Sequence, residues 1–253
     1  MLRLAAVLAI GAALPPVNAR FDYQIGEPYP PPRGVRVVSR DWSEGRPPAR
    51  GYAICYVNAF QTQKDQRAAW PRDLVLRELG DDPQWGGEYL IDLSTPAKRR
   101  RAAATVQPMI EACAEKGFDA VEYDNLDSWT RFDGTPRSPD VPFGKAAAIA
   151  YAEQLADRGH ALGLAVAQKN TPQLTRRQAR GRISFDFAIA EECGRYRECA
   201  AYRRVHGDRV FDVEYGRRGF DAACAAAGRR ISIVLRNRAV TGPGSRGYRY
   251  KAC

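Results

Sequence analysis

Two carboxylates, Glu122 and Asp124, stand two residues apart in the segment Glu122-Tyr123-Asp124-Asn125. Alternate side chains of a strand share a face, so in an extended segment this pair points the same way. Carboxylates that close do not both ionise cheaply, and one must hold its proton more tightly unless a cation such as Lys169 sits between them. Asp41, Asp127, Glu214 and the adjacent pair Glu191-Glu192 are further acids of interest. Two carboxyls across a sugar-sized gap are the machinery of glycoside hydrolysis. One protonates the leaving oxygen while the other attacks the anomeric carbon or activates water. Trp42, Tyr56, Tyr123, Trp129 and Tyr215 lie close to these acids in sequence and offer rings on which sugars can stack. Each acid also has a structural alternative, holding loop amides, and each ring the alternative of plain packing.

Competing chemistries lack residues. His160 and His206 are the only histidines, neither has a G-x-S-x-G partner, and there is no P-loop and no C-x-x-C pair. A Ser-His-Asp hydrolase, a nucleotide-phosphate site, a zinc site and a redox motif are therefore disfavoured.

Short apolar runs set the elements that must position these groups. They are Val35 to Val38, Tyr52 to Val57, Tyr89 to Leu93, Ala120 to Tyr123, Leu162 to Ala167, Phe185 to Ala190, Val210 to Val213 and Ile231 to Leu235. Between them, Thr95-Pro96 opens a helix ending near Gly117, Gly144 to Gly159 brackets another, and Thr171-Pro172 starts a third; Pro108 predicts a kink or break in the first. Eight near-continuously apolar strands alternating with helices fit a single (β/α)8 TIM barrel. A doubly wound sheet is the runner-up, but Ser39-Arg40-Asp41-Trp42 follows the first run where a Gly-rich turn would be needed. In the fifth strand Gly163, Ala165 and Ala167 alternate with Leu162, Leu164 and Val166, which suits small residues inside a closed barrel and large ones beneath helices. Chemistry in such a barrel sits at the C-terminal strand ends. That is where Asp41, Glu122, Asp124, Lys169, Asn170, Glu191, Glu192, Glu214 and Tyr215 fall.

The N-terminus carries Met1-Leu2-Arg3, an apolar stretch from Leu4 to Leu14, and the close Val17-Asn18-Ala19. These are the parts of a secretory signal peptide over residues 1–19, leaving 20–253 as one barrel domain that no linker or repeat divides. The protein is then expected outside the cell, without membrane insertion and as a monomer. Export permits disulfides, and the six cysteines are read as Cys193 with Cys199, Cys224 with Cys253 and, by elimination, Cys55 with Cys113. A net charge of +10 from 39 Lys+Arg against 29 Asp+Glu first suggests an acidic partner. The best basic run, Lys98-Arg99-Arg100-Arg101, sits at a helix start and reads as a solvated face, so no nucleic-acid partner is expected.

Taken in order, the segments Phe21-Asp22-Tyr23-Gln24, Ile54-Cys55-Tyr56-Val57-Asn58, Glu122-Tyr123-Asp124-Asn125-Leu126-Asp127, Gln168-Lys169-Asn170, Asp186 to Cys193 and Glu214-Tyr215 resemble glycoside hydrolase family 114, the endo-α-1,4-polygalactosaminidases. The resemblance implies a TIM barrel that hydrolyses galactosamine polymers internally, with no metal or cofactor. It puts the nucleophile on Asp124 and the acid/base on a Glu of the sixth strand. Asp41, Tyr56, Glu122, Asn125, Asp127, Lys169, Asn170, Glu192, Glu214 and Tyr215 are the substrate-binding candidates. Tyr123 departs from the Pro of many members and is expected to reshape the pocket wall. If Ala188 and Ala190 face the axis, alternation turns Glu192 inward; the family pattern, in which the second position can be Gln, favours Glu191, reached through a bulged strand tip. The alternative function is an exported barrel that binds carbohydrate without cleaving it.

Overall fold

The structure, a computed structural model, describes residues 12–253. Nine strands form one sheet in chain order: β1 (Phe21–Gln24), β2 (Val37–Asp41), β3 (Tyr52–Asn58), β4 (Ala120–Asp124), β5 (Ala165–Lys169), β6 (Phe187–Glu191), β7 (Val210–Glu214), β8 (Ser232–Arg236) and β9 (Tyr250–Ala252). The first eight pair in parallel, and β9 returns antiparallel along β8. Helix α1 (Pro96–Glu115) follows β3, α2 (Lys145–Ala161) follows β4, α3 (Cys193–Tyr196) and α4 (Cys199–His206) follow β6, and α5 (Arg217–Ala227) follows β7. This is the expected (β/α)8 barrel, nearly closed, with one added strand at its seam.

Two of the expected elements differ. Tyr89–Leu93 is no barrel strand; it makes only the bridges Gln61 to Leu90 and Val75 to Ile91. Its apolar residues Leu90, Ile91 and Leu93 are buried on the helix side of the sheet, among residues of α1 such as Val106 and Ile110. The missing strand is β1, hidden because Phe21 and Tyr23 alternate with the polar Asp22 and Gln24, which are also buried. No helix starts at Thr171-Pro172 either. Asn170 and Thr171 both have left-handed backbone (φ 49° and 65°), and Gln168 Nε2 donates to both their carbonyls, at 2.9 and 3.0 Å. The chain turns there and winds only later, in a π-helical stretch at Arg177–Arg182. Pro108 neither breaks nor ends α1: it sits on the solvent face, where water can take the carbonyl it leaves without a partner.

The orientation of the strands decides which side chains reach the axis. On β5, Ala165 and Ala167 point inward and Leu164 and Val166 pack beneath helices, as expected. On β6 the order is reversed. Phe187 and Ile189 fill the barrel, while Ala188 and Ala190 lie outside against Tyr202, Phe220 and Ala223. Glu191 therefore continues the inward row without any bulge. Glu192, with φ 57°, is the residue at which the chain leaves the sheet.

Cys55 pairs with Cys113, Cys193 with Cys199 and Cys224 with Cys253, all as expected. Of the basic run, Lys98 meets Asp92 and Arg101 meets Asp73, while Arg99 donates to the Leu93 carbonyl. Its charges serve the chain itself. The leader expected over 1–19 begins in residues 1–11, outside the described residues. No helix among the described residues is long and apolar enough to cross a membrane.

The seam between β8 and β1 is held by Arg236, which has no exposed surface. It donates to Asp22 Oδ1 at 2.8 Å, to the carbonyls of Arg249 and Thr241 at 2.9 and 2.8 Å, and to the Tyr23 carbonyl. Removing one partner of a buried pair leaves the other charge uncompensated, so Arg236→Met is expected to cost roughly 3–5 kcal/mol. Urea unfolding would measure it. Asp22→Asn in the same chain should recover part of that loss, and a single variant as stable as wild type would contradict this account of the seam.

Candidate active site

Inward side chains of β1, β3, β4 and β6 meet around one ammonium, that of Lys169 at the tip of β5. Lys169 Nζ lies 3.0 Å from Asp124 Oδ1, 3.7 Å from Glu122 Oε2 and 3.7 Å from Glu191 Oε2, and donates to the Tyr23 hydroxyl at 2.9 Å. The Tyr23 and Tyr56 rings lie 5.4 and 5.5 Å from the same nitrogen, within cation–π range. Burial alone would strip the lysine's proton, but Asp124, Glu191 and Glu122 together hold its pKa well above the ordinary value.

The carboxylates around Lys169 are driven apart. Asp124 is buried, which favours its acid form. Lys169 outweighs that, aided by the Tyr56 hydroxyl donating to Oδ2 at 2.7 Å and the Asn125 amide donating to Oδ1 at 2.7 Å, so its pKa falls below the usual range. Glu122 lies deeper, with no exposed surface, and accepts from Ser39 and from Tyr23. Burial dominates there and pushes it up to about 7 against the pull of Lys169. Glu191 accepts from the Tyr215 hydroxyl on one oxygen and from Asn170 Nδ2, at 3.0 Å, on the other; its backbone amide donates to Asn170 Oδ1 at 2.8 Å.

The residue after each of the three central strand tips, Asn125, Asn170 and Glu192, has left-handed backbone (φ 62°, 49° and 57°). The chain thus turns away at once behind Asp124, Lys169 and Glu191. Asparagine tolerates this region better than most residues, and its side chain still reaches a neighbour. Asn125 Nδ2 donates to Asn58 Oδ1 at 3.0 Å while its Oδ1 accepts from Arg131.

Above the tips opens a cleft of about 620 Å³ lined by Tyr56, Asp124, Asn125, Asp127, Asn170, Glu191, Glu192 and Tyr215 among others. Lys169 and Glu122 lie beneath it. Asp127 is raised by burial, opposed by Arg131. Glu192 is tied to Arg195 at 2.8 and 2.9 Å. Two candidates are elsewhere. Asp41 accepts from the Ser43 amide and hydroxyl (2.8 and 2.6 Å) and from Gln63 (2.8 Å), holding its own loop. Glu214 alternates with the inward Val213, so it points away from the axis and accepts the amides of Gly194 and Arg195. Tyr123 lines no pocket wall: it is buried beneath α2 and donates to the Leu155 carbonyl. Trp42 and Trp129 pack against the helix-side core. Several lining residues escaped sequence reading, including Trp85, Glu88, Arg131, Glu198 and Arg238. Glu88, which accepts from Asn58 Nδ2 at 3.0 Å, is raised to about 7, first by burial and then by Asp124. These residues come from loops that no local motif marks. The sequence signal that was available is the Tyr of Phe21-Asp22-Tyr23-Gln24.

A family model described as glycoside-hydrolase family GH114 matches residues 4–253. Among solved structures the chain is similar to Aspergillus fumigatus Ega3 in complex with galactosamine, at TM-score 0.76 and 18% identity, covering 96% of this chain and 98% of that one. It is also similar to the glycoside hydrolase domain of PelA from Pseudomonas aeruginosa, at TM-score 0.57 and 15% identity over 89% and 96% of the two chains. No curated protein sequence matches significantly.

The raised pKa of Glu122 makes stability depend on pH. Its neutral form favours the fold, so the contribution is complete below its ordinary 4.5 and is lost as pH rises through about 7. Glu122→Gln should therefore lose less stability than wild type between pH 5 and 8, by on the order of 1–3 kcal/mol. Thermal melts across that range test it, and parallel curves for the two proteins would count against a neutral Glu122.

Proposed function

This chain belongs to glycoside-hydrolase family GH114, and we propose that it cleaves internal α-1,4 bonds of galactosamine polymers, with Asp124 as nucleophile and Glu191 as general acid/base. The carrying observation is that both carboxylates face inward at the tips of β4 and β6 and touch the same buried ammonium beneath a cleft. In the first step Asp124 attacks the anomeric carbon as Glu191 gives its proton to the leaving glycosidic oxygen, and the C–O bond breaks. Glu191, now ionised, is stabilised by donation from Tyr215 and Asn170. It then takes a proton from water, whose oxygen attacks the same carbon and frees Asp124. Lys169 and Tyr56 stabilise Asp124 as it regains its negative charge. A covalent intermediate on Asp124 gives net retention, the outcome of pairs whose carboxyls are roughly 5–5.5 Å apart. Side chains fill every role, so the reading calls for no metal or cofactor.

The substrate class rests on charge. Seven carboxylates, Glu88, Asp124, Asp127, Asp133, Glu191, Glu192 and Glu198, line the cleft against Arg131 and Arg238. Such a lining suits a sugar that carries a free amine, and Ega3 binds galactosamine in its crystal structure. Three disulfides and the Met1–Ala19 pattern support action outside the cytoplasm. The alternative of a barrel that only binds carbohydrate gains nothing from the geometry: Tyr123 is buried beneath α2 rather than in the cleft, and Glu191 is an inward carboxylate at the strand-six tip.

Mass analysis of products from partially deacetylated galactosaminogalactan tests the reading. Wild type should release oligomers rather than monomers. Asp124→Asn and Glu191→Gln should each lower reducing-end release by roughly 10²–10⁴-fold with the fold intact. Correctly folded variants that cleave as fast as wild type would sink the assignment.

A further inference from the structure

Asp212 and Glu214 alternate with the inward Val213, so both leave the axis and enter the contact between β7 and the helices α3 and α5. Neither has any exposed surface. Asp212 Oδ1 accepts the Cys193 amide at 3.1 Å, and Glu214 Oε1 accepts the amides of Gly194 at 2.6 Å and Arg195 at 3.3 Å. The second oxygen of each, Asp212 Oδ2 and Glu214 Oε2, is sealed from water with no donor. Two buried carboxylates, two residues apart on one face of β7 and bonded to successive amides of α3, each with an empty acceptor, are relieved together by one proton between them.

The surroundings leave little else to supply that donor. From the β6 tip Glu191 adds negative charge toward Asp212, and Glu192 does so toward Glu214. Arg195 faces Glu214 but spends its guanidinium on Glu192. Tyr202 of α4 carries a neutral phenol, held so by burial. α5 presents only small groups: a Cβ at Gly194 would strike the Gly219 carbonyl and Ala223, and one at Gly219 would strike Glu214 Oε2. Cys193, Cys199 and Asp212 form a cluster of metal-type donors among the described residues, but the two sulfurs are bonded to each other. Burial, followed by the charge of Glu214, pushes Asp212 well above the carboxylate range, and burial raises Glu214 as well.

We propose that Asp212 and Glu214 are a positioning pair: the hydroxyl of neutral Asp212 donates to Glu214 Oε2, and the joined pair clamps the three amides that immediately follow Glu191-Glu192, fixing the strand tip that aims Glu191. The proposal rests on the reading of Glu191 as acid/base. Residue 192 turns through left-handed backbone between strand and clamp, so the clamp holds the far side of a turn whose near side is the Glu192 amide on the Val213 carbonyl at 2.9 Å. Because the fold raises the proton affinity of Asp212, the clamp is complete at low pH. It is lost as pH rises through that raised value, when two buried anions repel and release the amides.

Three full-length proteins test this: wild type, Asp212→Asn and Asp212→Ala. An asparagine keeps Oδ1 for Cys193 and offers Nδ2 to Glu214 at every pH; alanine offers neither. Asp212→Ala should lose more than about tenfold in kcat with KM within about threefold of wild type, and Asp212→Asn should return kcat to within about threefold, the pattern of a displaced catalytic group rather than lost binding. Hydrogen exchange of the Cys193–Arg195 amides provides the second readout. In wild type it should accelerate at alkaline pH beyond its intrinsic rise, and in Asp212→Asn it should not. Identical exchange profiles for these two, or an Asp212→Asn protein as slow as Asp212→Ala, would overturn the pair. If Asp212→Ala fails to fold, the exchange comparison decides alone. A wild type that cleaves no galactosamine polymer would refute the proposed function and leave the exchange result to judge the clamp.

Discussion

Lys169 has no surface exposed to water, and a lone ammonium in that position would shed its proton or cost several kcal/mol. What keeps it charged is the set of groups that a glycosidase needs. Asp124 lies closest, Glu122 and Glu191 lie further out, and two tyrosines turn their rings toward it. The constraint works in both directions. A buried lysine requires nearby carboxylates, and carboxylates this crowded require a cation if one of them is to stay ionised for attack. The asymmetry between them follows from depth and bonding. Asp124 has three donors and the shortest approach to Lys169, so it is the anion; Glu122, sealed below, is the one pushed up.

The same rule extends to the outer shell of the barrel. Polar groups that a sequence reading assigns to the mouth are in several cases buried outside it, each satisfied by a specific partner. Asp41 binds its own loop. Glu214 binds the amides of α3. A carboxylate at a strand end has two ways to be satisfied, by substrate and cation at the axis or by backbone amides outside. On β6 and β7 strand parity chooses between them. Glu191 and Glu214 end neighbouring strands, yet the first faces in and the second faces out, because Ile189 and Val213 are the inward residues of β6 and β7.

Parity is also where the sequence was hardest to read. Seven of the eight apolar runs are barrel strands, the exception being Tyr89–Leu93, and the strand-end grouping of Asp124, Lys169, Asn170 and Glu191 followed from them. The favoured disulfide pairing is the observed one, out of 15 connectivities that six cysteines allow. Small-inward packing held on β5 and failed on β6, where the alanines make room for the close approach of α3 to α5 at Gly194 and Gly219. β1 escaped because Asp22 and Gln24 break its apolar run, and their burial depends on the nearby Tyr29 and on Arg40 and Arg236, more distant in sequence. Glu88 and Glu198 reach the cleft from loops whose course depends on the whole fold.

The charge of the chain, finally, is segregated rather than surplus. At +10 the protein as a whole repels a polymer bearing free amines, but beyond a Debye length of about 8–10 Å that repulsion is screened. Within that distance of the cleft the nearest fixed charges are mostly carboxylates, some raised toward neutrality by burial, with Arg131 engaged by Asp82 and Arg238 stacked on Trp85. Several basic residues of the surface are paired with acids away from the cleft, Arg101 with Asp73 of another segment and Arg217 with Asp221 of its own helix. A cationic chain arriving at the mouth therefore meets a field set by the seven lining acids. Their number exceeds what two catalytic roles require, and the excess is what an amine-bearing sugar chain would neutralise along its length.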